Sequence, residues 1–128
     1  LTMPGNLETI GYLFYDPNQL YYDTSARIFI PDSLRKVNVT GTSVTDHFAY
    51  NIDSIEEIEL ADGIEEIGDN AFYKCVTLNK IKMPLSLKTI GNRAFYDCHS
   101  LNSIVINENV NSIKTSAFEK CNVSSAIS

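Results

Sequence analysis

Apolar residues return along this chain at a fixed interval of 23 positions. The segments IGDNAFYKC, IGNRAFYDC and IKTSAFEKC, at 67–75, 90–98 and 113–121, bring isoleucine, alanine, phenylalanine and cysteine into the same columns. The columns continue outside this motif as Ile58/Ile81/Ile104/Ile127, Leu60/Met83/Ile106, Ile64/Leu87/Val110, Ile67/Ile90/Ile113 and Phe72/Phe95/Phe118. This period predicts a solenoid, in which each unit buries its apolar side only by stacking on its neighbours.

Each unit contains a strand-like part and an irregular part. Apolar residues alternate with solvent-facing positions in 58–60, 81–83 and 104–106, so each of these segments should add one rung to a parallel sheet. The SLKTI segment predicts a second, shorter extended piece on the opposite side, and Gly68 and Gly91 permit the corner after it. The alanine-phenylalanine segments are too short for a continuous helix, and we expect a helical turn or an irregular bend there.

The first half of the chain is less regular, although we expect one domain over 1–128. The predicted repeats are 1–27, 28–57, 58–80, 81–103 and 104–128. The second repeat opens with a strand at Ile28, places Val37 in the column of Ile90, and then carries about seven extra residues, roughly 38–44. Val44 resumes the columns in place of Ile67, and the usual alanine-phenylalanine pair is reversed at 48–49. Because the chain opens inside a repeat, we expect it to be a fragment of a longer protein.

The unit L-x-x-I-x-(M/I)-P-x-S-L-x-x-I-G-x-x-A-F-x-x-C, seen in 78–98, resembles the BspA-like leucine-rich repeats of bacterial and protozoan surface proteins. The resemblance is close over 55–121, degenerate over 28–54 and partial over 1–27. It implies a right-handed leucine-rich repeat solenoid, with one parallel strand per repeat and short helical or irregular segments on the other side. It also implies a secreted or cell-surface protein that attaches to host matrix proteins or to other cells.

Charge and hydropathy limit the partners. The net charge of −6 disfavours a nucleic acid, since binding the phosphate backbone needs clustered lysine and arginine. No apolar run approaches the roughly 20 residues that span a bilayer, so we predict no transmembrane segment in this fragment.

A run of acidic residues between Asp53 and Asp69 contains no lysine or arginine and suggests a calcium site. One period later, however, three of these acids meet lysines, in the pairs Glu57/Lys80, Glu59/Lys82 and Glu65/Lys88. Opposite charges on adjacent rungs stabilise the register, and no calcium-loop motif is present. We therefore expect ion pairs between coils, and no metal site.

The chemistry needed for catalysis is sparse. Cys98 precedes His99, so a thiol-imidazole pair is conceivable, but Cys98 shares its column with Cys75 and Cys121, as expected for buried packing residues. The cysteines lack the close spacing of structural zinc sites, and no glycine-rich phosphate loop is present. We expect no catalytic residues, no cofactor and no enzyme activity. Sequons occur at Asn38 and Asn122.

A solenoid presents a rigid sheet whose outward positions vary freely, and function is expected on that surface. The candidate protein-contact residues are the outward strand positions Arg27, Phe29, Glu57, Glu59, Lys80, Lys82, Ser103 and Val105, together with Tyr21 and Tyr22 from an aromatic cluster. That cluster is also consistent with packing under an irregular loop. The function we predict is a protein-binding or adhesion module, with a passive spacer as the alternative and an enzyme or metal protein as a third hypothesis.

Overall fold

The computed structural model describes residues 2–4 and 35–122, and two parallel sheets run side by side through it. The strands are β1 (Thr2–Pro4), β2 (Lys36–Thr40), β3 (Ser43–Val44), β4 (Glu57–Leu60), β5 (Glu66–Ile67), β6 (Lys80–Lys82), β7 (Thr89–Ile90) and β8 (Ser112–Ile113). The first sheet has the order β1-β2-β4-β6, and the second has the order β3-β5-β7-β8. We call residues 36–56, 57–79, 80–102 and 103–122 the first, second, third and fourth coils.

The predicted period is confirmed by the strand register. Ile58 pairs with Ile81 in the first sheet, and Ile67, Ile90 and Ile113 are successive partners in the second. Like residues therefore lie one above another, and the core between the sheets is built from these columns. Most core side chains are fully buried, among them Ile64, Ile67, Phe72, Leu78, Leu87, Ile90, Phe95 and Leu101.

The rung predicted at 104–106 is only partly confirmed. Ile104 and Ile106 are buried and Val105 is exposed, so the side chains alternate as predicted. The backbone does not form a strand there, however, and only a single bridge is made, at Ile106. Packing of the two isoleucines places this segment, while the ladder of backbone hydrogen bonds in the first sheet is regular only as far as β6.

The predicted register of the first coil is wrong at Val37. Val37 pairs with Ile58, and Val39 pairs with Leu60, so Val37 lies in the first sheet and not in the column of Ile90. The proposed insertion at 38–44 is instead strand β2 followed by a tight turn at Gly41, whose φ is 109°. Val44 does pair with Ile67, as predicted. The partner of β2 on its other side is β1, and the strand predicted at Ile28 lies outside the described residues.

The alanine-phenylalanine segments form irregular turns, and no described residue lies in a helix. Each turn contains two non-glycine residues with positive φ, in the columns His47/Asn70/Arg93/Ser116 and Asn51/Lys74/Asp97/Lys120. This conformation directs backbone N–H groups at the next coil, as in Phe72 N–H to the Ala94 carbonyl oxygen at 2.7 Å and Phe95 N–H to that of Ala117 at 2.8 Å. Adjacent coils are thus hydrogen-bonded along the turns as well as along both sheets, which satisfies buried backbone groups.

The reversed pair at 48–49 produces the local shift that the sequence suggested. The Ala49 N–H bonds to the Ala71 carbonyl oxygen at 2.6 Å, which places Ala49 where later coils have phenylalanine. The ring of Phe48 consequently meets Phe72 edge-on, at 6.0 Å and 65°. In the following coils the phenylalanine rings stack face to face, at 5.2 Å between Phe72 and Phe95.

Gly68 and Gly91 are required by close packing of coils and not by a left-handed corner. A Cβ atom on Gly91 would lie 2.7 Å from the Asp69 Oδ1 and 2.7 Å from the Gly68 carbonyl carbon. On Gly68 it would lie 2.5 Å from the Asp46 Oδ1. The glycines therefore let one coil approach the one before it. In the part of the chain that the structure describes, no helix is long and apolar enough to cross a membrane.

Candidate interaction surfaces

The outward face of the first sheet carries four of the predicted contact residues in ion pairs. Because Ile58 and Leu60 point into the core, Glu57 and Glu59 face solvent on the same strand. The Lys80 Nζ lies 3.9 Å from the Glu57 Oε1, and the Lys82 Nζ lies 3.2 Å from the Glu59 Oε1. Lys36 also contacts Glu57, at 3.4 Å, so this carboxylate lies between two lysines. The predicted pairs are confirmed, and they make this face a register of alternating charge.

The third predicted pair joins Glu65 and Lys88 away from this face, at 3.1 Å. Both side chains are more than half exposed, at 56% and 57%. Solvent-exposed ion pairs contribute little to stability because water and salt screen them. The pairs therefore favour one register without holding the coils together.

We expect Lys88→Ala to lower the free energy of unfolding by less than about 1 kcal/mol. Urea denaturation followed by circular dichroism, at low and at high salt, measures the effect. The difference from the wild type should shrink at high salt, because the lost interaction is an exposed charge pair. A loss several times larger, unchanged by salt, would contradict this assignment.

The last predicted positions on this face are exposed in the fourth coil. Ser103 is exposed, and Val105 is 66% exposed, although a valine is expected to be buried. Leu85, which follows β6 at the corner of the third coil, is 69% exposed. The structure thus brings Glu57, Glu59, Lys80 and Lys82 together on one face. The other candidates, Arg27, Phe29, Tyr21 and Tyr22, lie outside the described residues.

A column of tyrosines on the turns escaped the sequence analysis. Tyr50 and Tyr73 stack with their ring centroids 4.8 Å apart and their planes 5° from parallel, and Tyr73 and Tyr96 stack at 5.0 Å and 7°. The rings are half-buried. His47 lies against Tyr50 at 5.3 Å, and the Lys120 Nζ lies 5.4 Å from the Tyr96 centroid. The signal was the residue after each aligned alanine or phenylalanine, which is tyrosine in three coils.

The cysteines form a column of free thiols that hydrogen-bond backward along the solenoid. The Sγ atoms of Cys75, Cys98 and Cys121 donate to the carbonyl oxygens of Ala49, Phe72 and Phe95, at 3.2, 3.0 and 2.9 Å. Cys75 and Cys98 are fully buried. They pack as small core residues, as predicted, and each thiol also binds the neighbouring coil.

Burial and contacts between thiols keep the cysteines protonated. The Cys98 thiol raises the pKa of Cys121, and burial raises it further. For Cys98, contact with Cys121 acts to lower the pKa, but contact with Cys75 and burial outweigh it, so the net pKa is raised well above the usual thiol value. Since the thiolate is the reactive form, these groups are poor nucleophiles at neutral pH.

The conceivable pair of Cys98 and His99 is not formed. The Cys98 thiol donates to the Phe72 carbonyl oxygen, whereas the exposed imidazole of His99 contacts Asp97, with 3.3 Å between Nδ1 and Oδ1. Each side chain is engaged with a different partner. The neighbours in sequence therefore do not make a nucleophile and base.

Several acidic residues of the calcium hypothesis have structural partners. The Asp46 Oδ1 accepts the Asp69 N–H at 2.8 Å, and the Asp69 Oδ1 accepts the Asn92 N–H at 2.8 Å. The Asn92 Oδ1 continues this row to the Thr115 N–H at 3.2 Å. Within 2–4 and 35–122, no group of three or more histidine, cysteine, aspartate or glutamate side chains could hold a metal ion.

The two sequons differ in their surroundings. Asn38 lies within β2, paired with Thr2 and Glu59 on its two sides, and its Oδ1 is buried. Asn122 is exposed, and its Nδ2 donates to the His99 carbonyl oxygen at 2.6 Å. Of the two side chains, only that of Asn122 stands clear of the sheets.

Comparison with known proteins agrees with this repeat architecture. The sequence profile of the BspA type leucine rich repeat region matches residues 17–128 in 6 copies. The crystal structure of the T. pallidum leucine rich repeat protein TpLRR is similar, with a TM-score of 0.57 and 25% identity over 70% of this chain and 59% of that chain. The pneumococcal vaccine antigen PcpA has a similar fold, with a TM-score of 0.55 and 24% identity over 70% of this chain and 23% of that chain. No curated protein matches significantly.

Proposed function

The chain belongs to the BspA-type leucine-rich repeat family, and from this premise we propose that it is a non-catalytic protein-binding or adhesion module. The partner we propose is a host matrix or cell-surface protein, and the location is the cell surface or the secreted fraction. Repeats of this type are commonly involved in protein interaction, which supports the general role. The chain spans 59% and 23% of the two solved relatives, so the activity of the whole protein forms part of this proposal.

The observation that carries the proposal is the outward face of the first sheet. The side chains of Glu57, Glu59, Lys80 and Lys82 are held by pairing across coils, so ordering them on binding costs little additional conformational entropy. Exposed Val105 lies at the end of this charged face. An apolar contact bordered by polar side chains is the usual composition of a protein interface.

The alternative is a spacer that displays another domain and binds nothing itself. A rigid stack of coils hydrogen-bonded on three sides would serve that role equally well. The two functions differ in one measurable respect, because a spacer tolerates any surface change that leaves the fold intact.

We expect Val105→Glu to weaken binding to a matrix protein by about tenfold or more, since truncating or charging an apolar interface residue typically costs 1–2 kcal/mol. Surface plasmon resonance against purified fibronectin, laminin and collagen measures it. The fold should be unchanged, because Val105 is 66% exposed and surface substitutions usually alter stability by less than about 0.5 kcal/mol.

Leu85→Glu is the matched control, since it introduces the same charge at a residue that is 69% exposed but lies beyond the end of β6. This variant should bind as the wild type does. Equal losses in both variants, or none in Val105→Glu, would remove the sheet face from the proposal. No binding by the wild type to any of these proteins would favour the spacer.

A further inference from the structure

The tyrosine column is built for a reaction between neighbouring rings. Tyr50, Tyr73 and Tyr96 stack almost parallel, at 4.8 Å and 5.0 Å between centroids and with interplanar angles of 5° and 7°. Their position on successive turns is held by backbone hydrogen bonds on both sides of each ring, such as Asn51 N–H to the Tyr73 carbonyl oxygen at 2.6 Å and Lys74 N–H to that of Tyr96 at 2.7 Å. The same faces of the rings are therefore held against each other.

Stacking in this register aligns the orbitals that couple when phenols are oxidised. A tyrosyl radical carries spin density on its ring carbons ortho to the oxygen, in π orbitals that point perpendicular to the ring. In the column those orbitals point along the stack, toward the ring of the next coil. The rings are half-buried, so a diffusible oxidant reaches their edges.

We propose that the column of Tyr50, Tyr73 and Tyr96 is a site of oxidative cross-linking, at which dityrosine bonds join adjacent coils. A one-electron oxidant removes one electron and one proton from each of two stacked phenols. The two radicals form a carbon-carbon bond between ortho positions, and loss of the two ring hydrogens as they tautomerise restores both phenols. With hydrogen peroxide as the terminal oxidant, two tyrosines and one peroxide give one dityrosine and two waters.

The thiol column does not compete at the surface. Cys75 and Cys98 are fully buried and donate hydrogen bonds to carbonyl oxygens. Their raised or shielded protonated state slows direct oxidation, which proceeds through the exposed thiolate. The tyrosines are thus the accessible one-electron donors of the turn side.

The cross-link has a structural consequence that is independent of the proposed binding function. It would tie residues 23 positions apart, in neighbouring coils. A covalent bond between segments that separate on unfolding restricts the unfolded chain and so stabilises the folded one. Oxidised protein should unfold at a higher temperature than untreated protein.

The test is treatment of the whole chain with a haem peroxidase and hydrogen peroxide, followed by tryptic mass spectrometry. Tryptic fragment 37–74 contains both Tyr50 and Tyr73, and fragment 94–114 contains Tyr96. We expect fragment 37–74 to lose two hydrogen atoms in mass, a joined product of 37–74 with 94–114, and the blue fluorescence of dityrosine. The yield should be independent of protein concentration, because the reaction is within one molecule.

Phenylalanine variants decide which rings couple while preserving the stacked rings. Tyr73→Phe should abolish both products, because it removes the partner common to both pairs. Tyr96→Phe should abolish the joined product and keep the intact loss of hydrogens in 37–74. Cross-links that persist in Tyr73→Phe, that form only between molecules, or that involve only fragment 1–27 with its four tyrosines would overturn the proposal.

Discussion

Replacing Phe95 by alanine is expected to lower the free energy of unfolding by about 3–5 kcal/mol. The ring is fully buried and lies between two others, with centroids 5.2 Å from Phe72 and 5.3 Å from Phe118. The variant loses apolar burial, leaves a cavity and removes two stacking contacts at once. In a solenoid each coil is stabilised by its neighbours, so the loss at one coil weakens the coils on both sides.

Guanidinium denaturation followed by circular dichroism measures this change. The matched control is Phe118→Ala, which removes the same ring from the fourth coil, where it is only partly buried and stacks on one recorded neighbour. Its cost should be clearly smaller. If the two variants were equally stable, the phenylalanine column would not be the continuous core that the stacking distances indicate.

Replacing Gly91 by alanine is expected to lower the free energy of unfolding by about 3 kcal/mol, at the upper end of overpacking costs. The new Cβ atom would lie 2.7 Å from the Gly68 carbonyl carbon and 2.8 Å from the Asp69 backbone nitrogen. Backbone atoms cannot rotate away, so the two coils must separate. That movement stretches the hydrogen bonds from the Gly91 N–H to the Ile67 carbonyl oxygen and from the Asn92 N–H to the Asp69 Oδ1, each 2.8 Å.

The control for this variant is Lys114→Ala, in the same column of the fourth coil. Lys114 already carries a Cβ atom, its side chain is exposed, and its N–H still reaches the Ile90 carbonyl oxygen at 2.9 Å. Shortening it should change stability by less than about 0.5 kcal/mol. Thermal unfolding compares the two. A Gly91→Ala protein as stable as the Lys114→Ala protein would show that the coils have room to spare at this corner.

The residues that the repeat aligned correctly are those whose neighbours are other copies of the same position. Ile58 on Ile81, Ile67 on Ile90 and Glu57 on Lys80 all follow from a shift of 23 residues. Stacked parallel strands bring residues one period apart into contact, so a column in the sequence is a contact in space. The family resemblance relied on the same columns.

The first coil shows where this reasoning fails. The strand runs from Val37 to Val39 in register with Ile58 and Leu60, which is 21 residues away and not 23. A shorter coil and a longer one with an insertion both place apolar residues at plausible positions. Only the backbone pairing of β2, with the turn at Gly41, separates the two interpretations.

Side-chain direction is the other quantity that periodicity leaves open. The aligned tyrosines are adjacent in any solenoid of this period, but their face-to-face stacking depends on the left-handed residues that flank them in the turns, such as Lys74 and Asp97. The thiols likewise follow a column, yet their hydrogen bonds to the preceding coil depend on where the turn directs each Sγ atom.

The amino-acid sequence by itself determined which coils stack, which residues share a core column and which charges meet across them, because repetition converts sequence distance directly into spatial contact. The tertiary structure alone decided the register of the first coil, the absence of a full strand at 104–106, the close approach that requires Gly68 and Gly91, and the stacking of the tyrosines. These features depend on backbone dihedral angles and distances between coils, to which a pattern of residue types is blind.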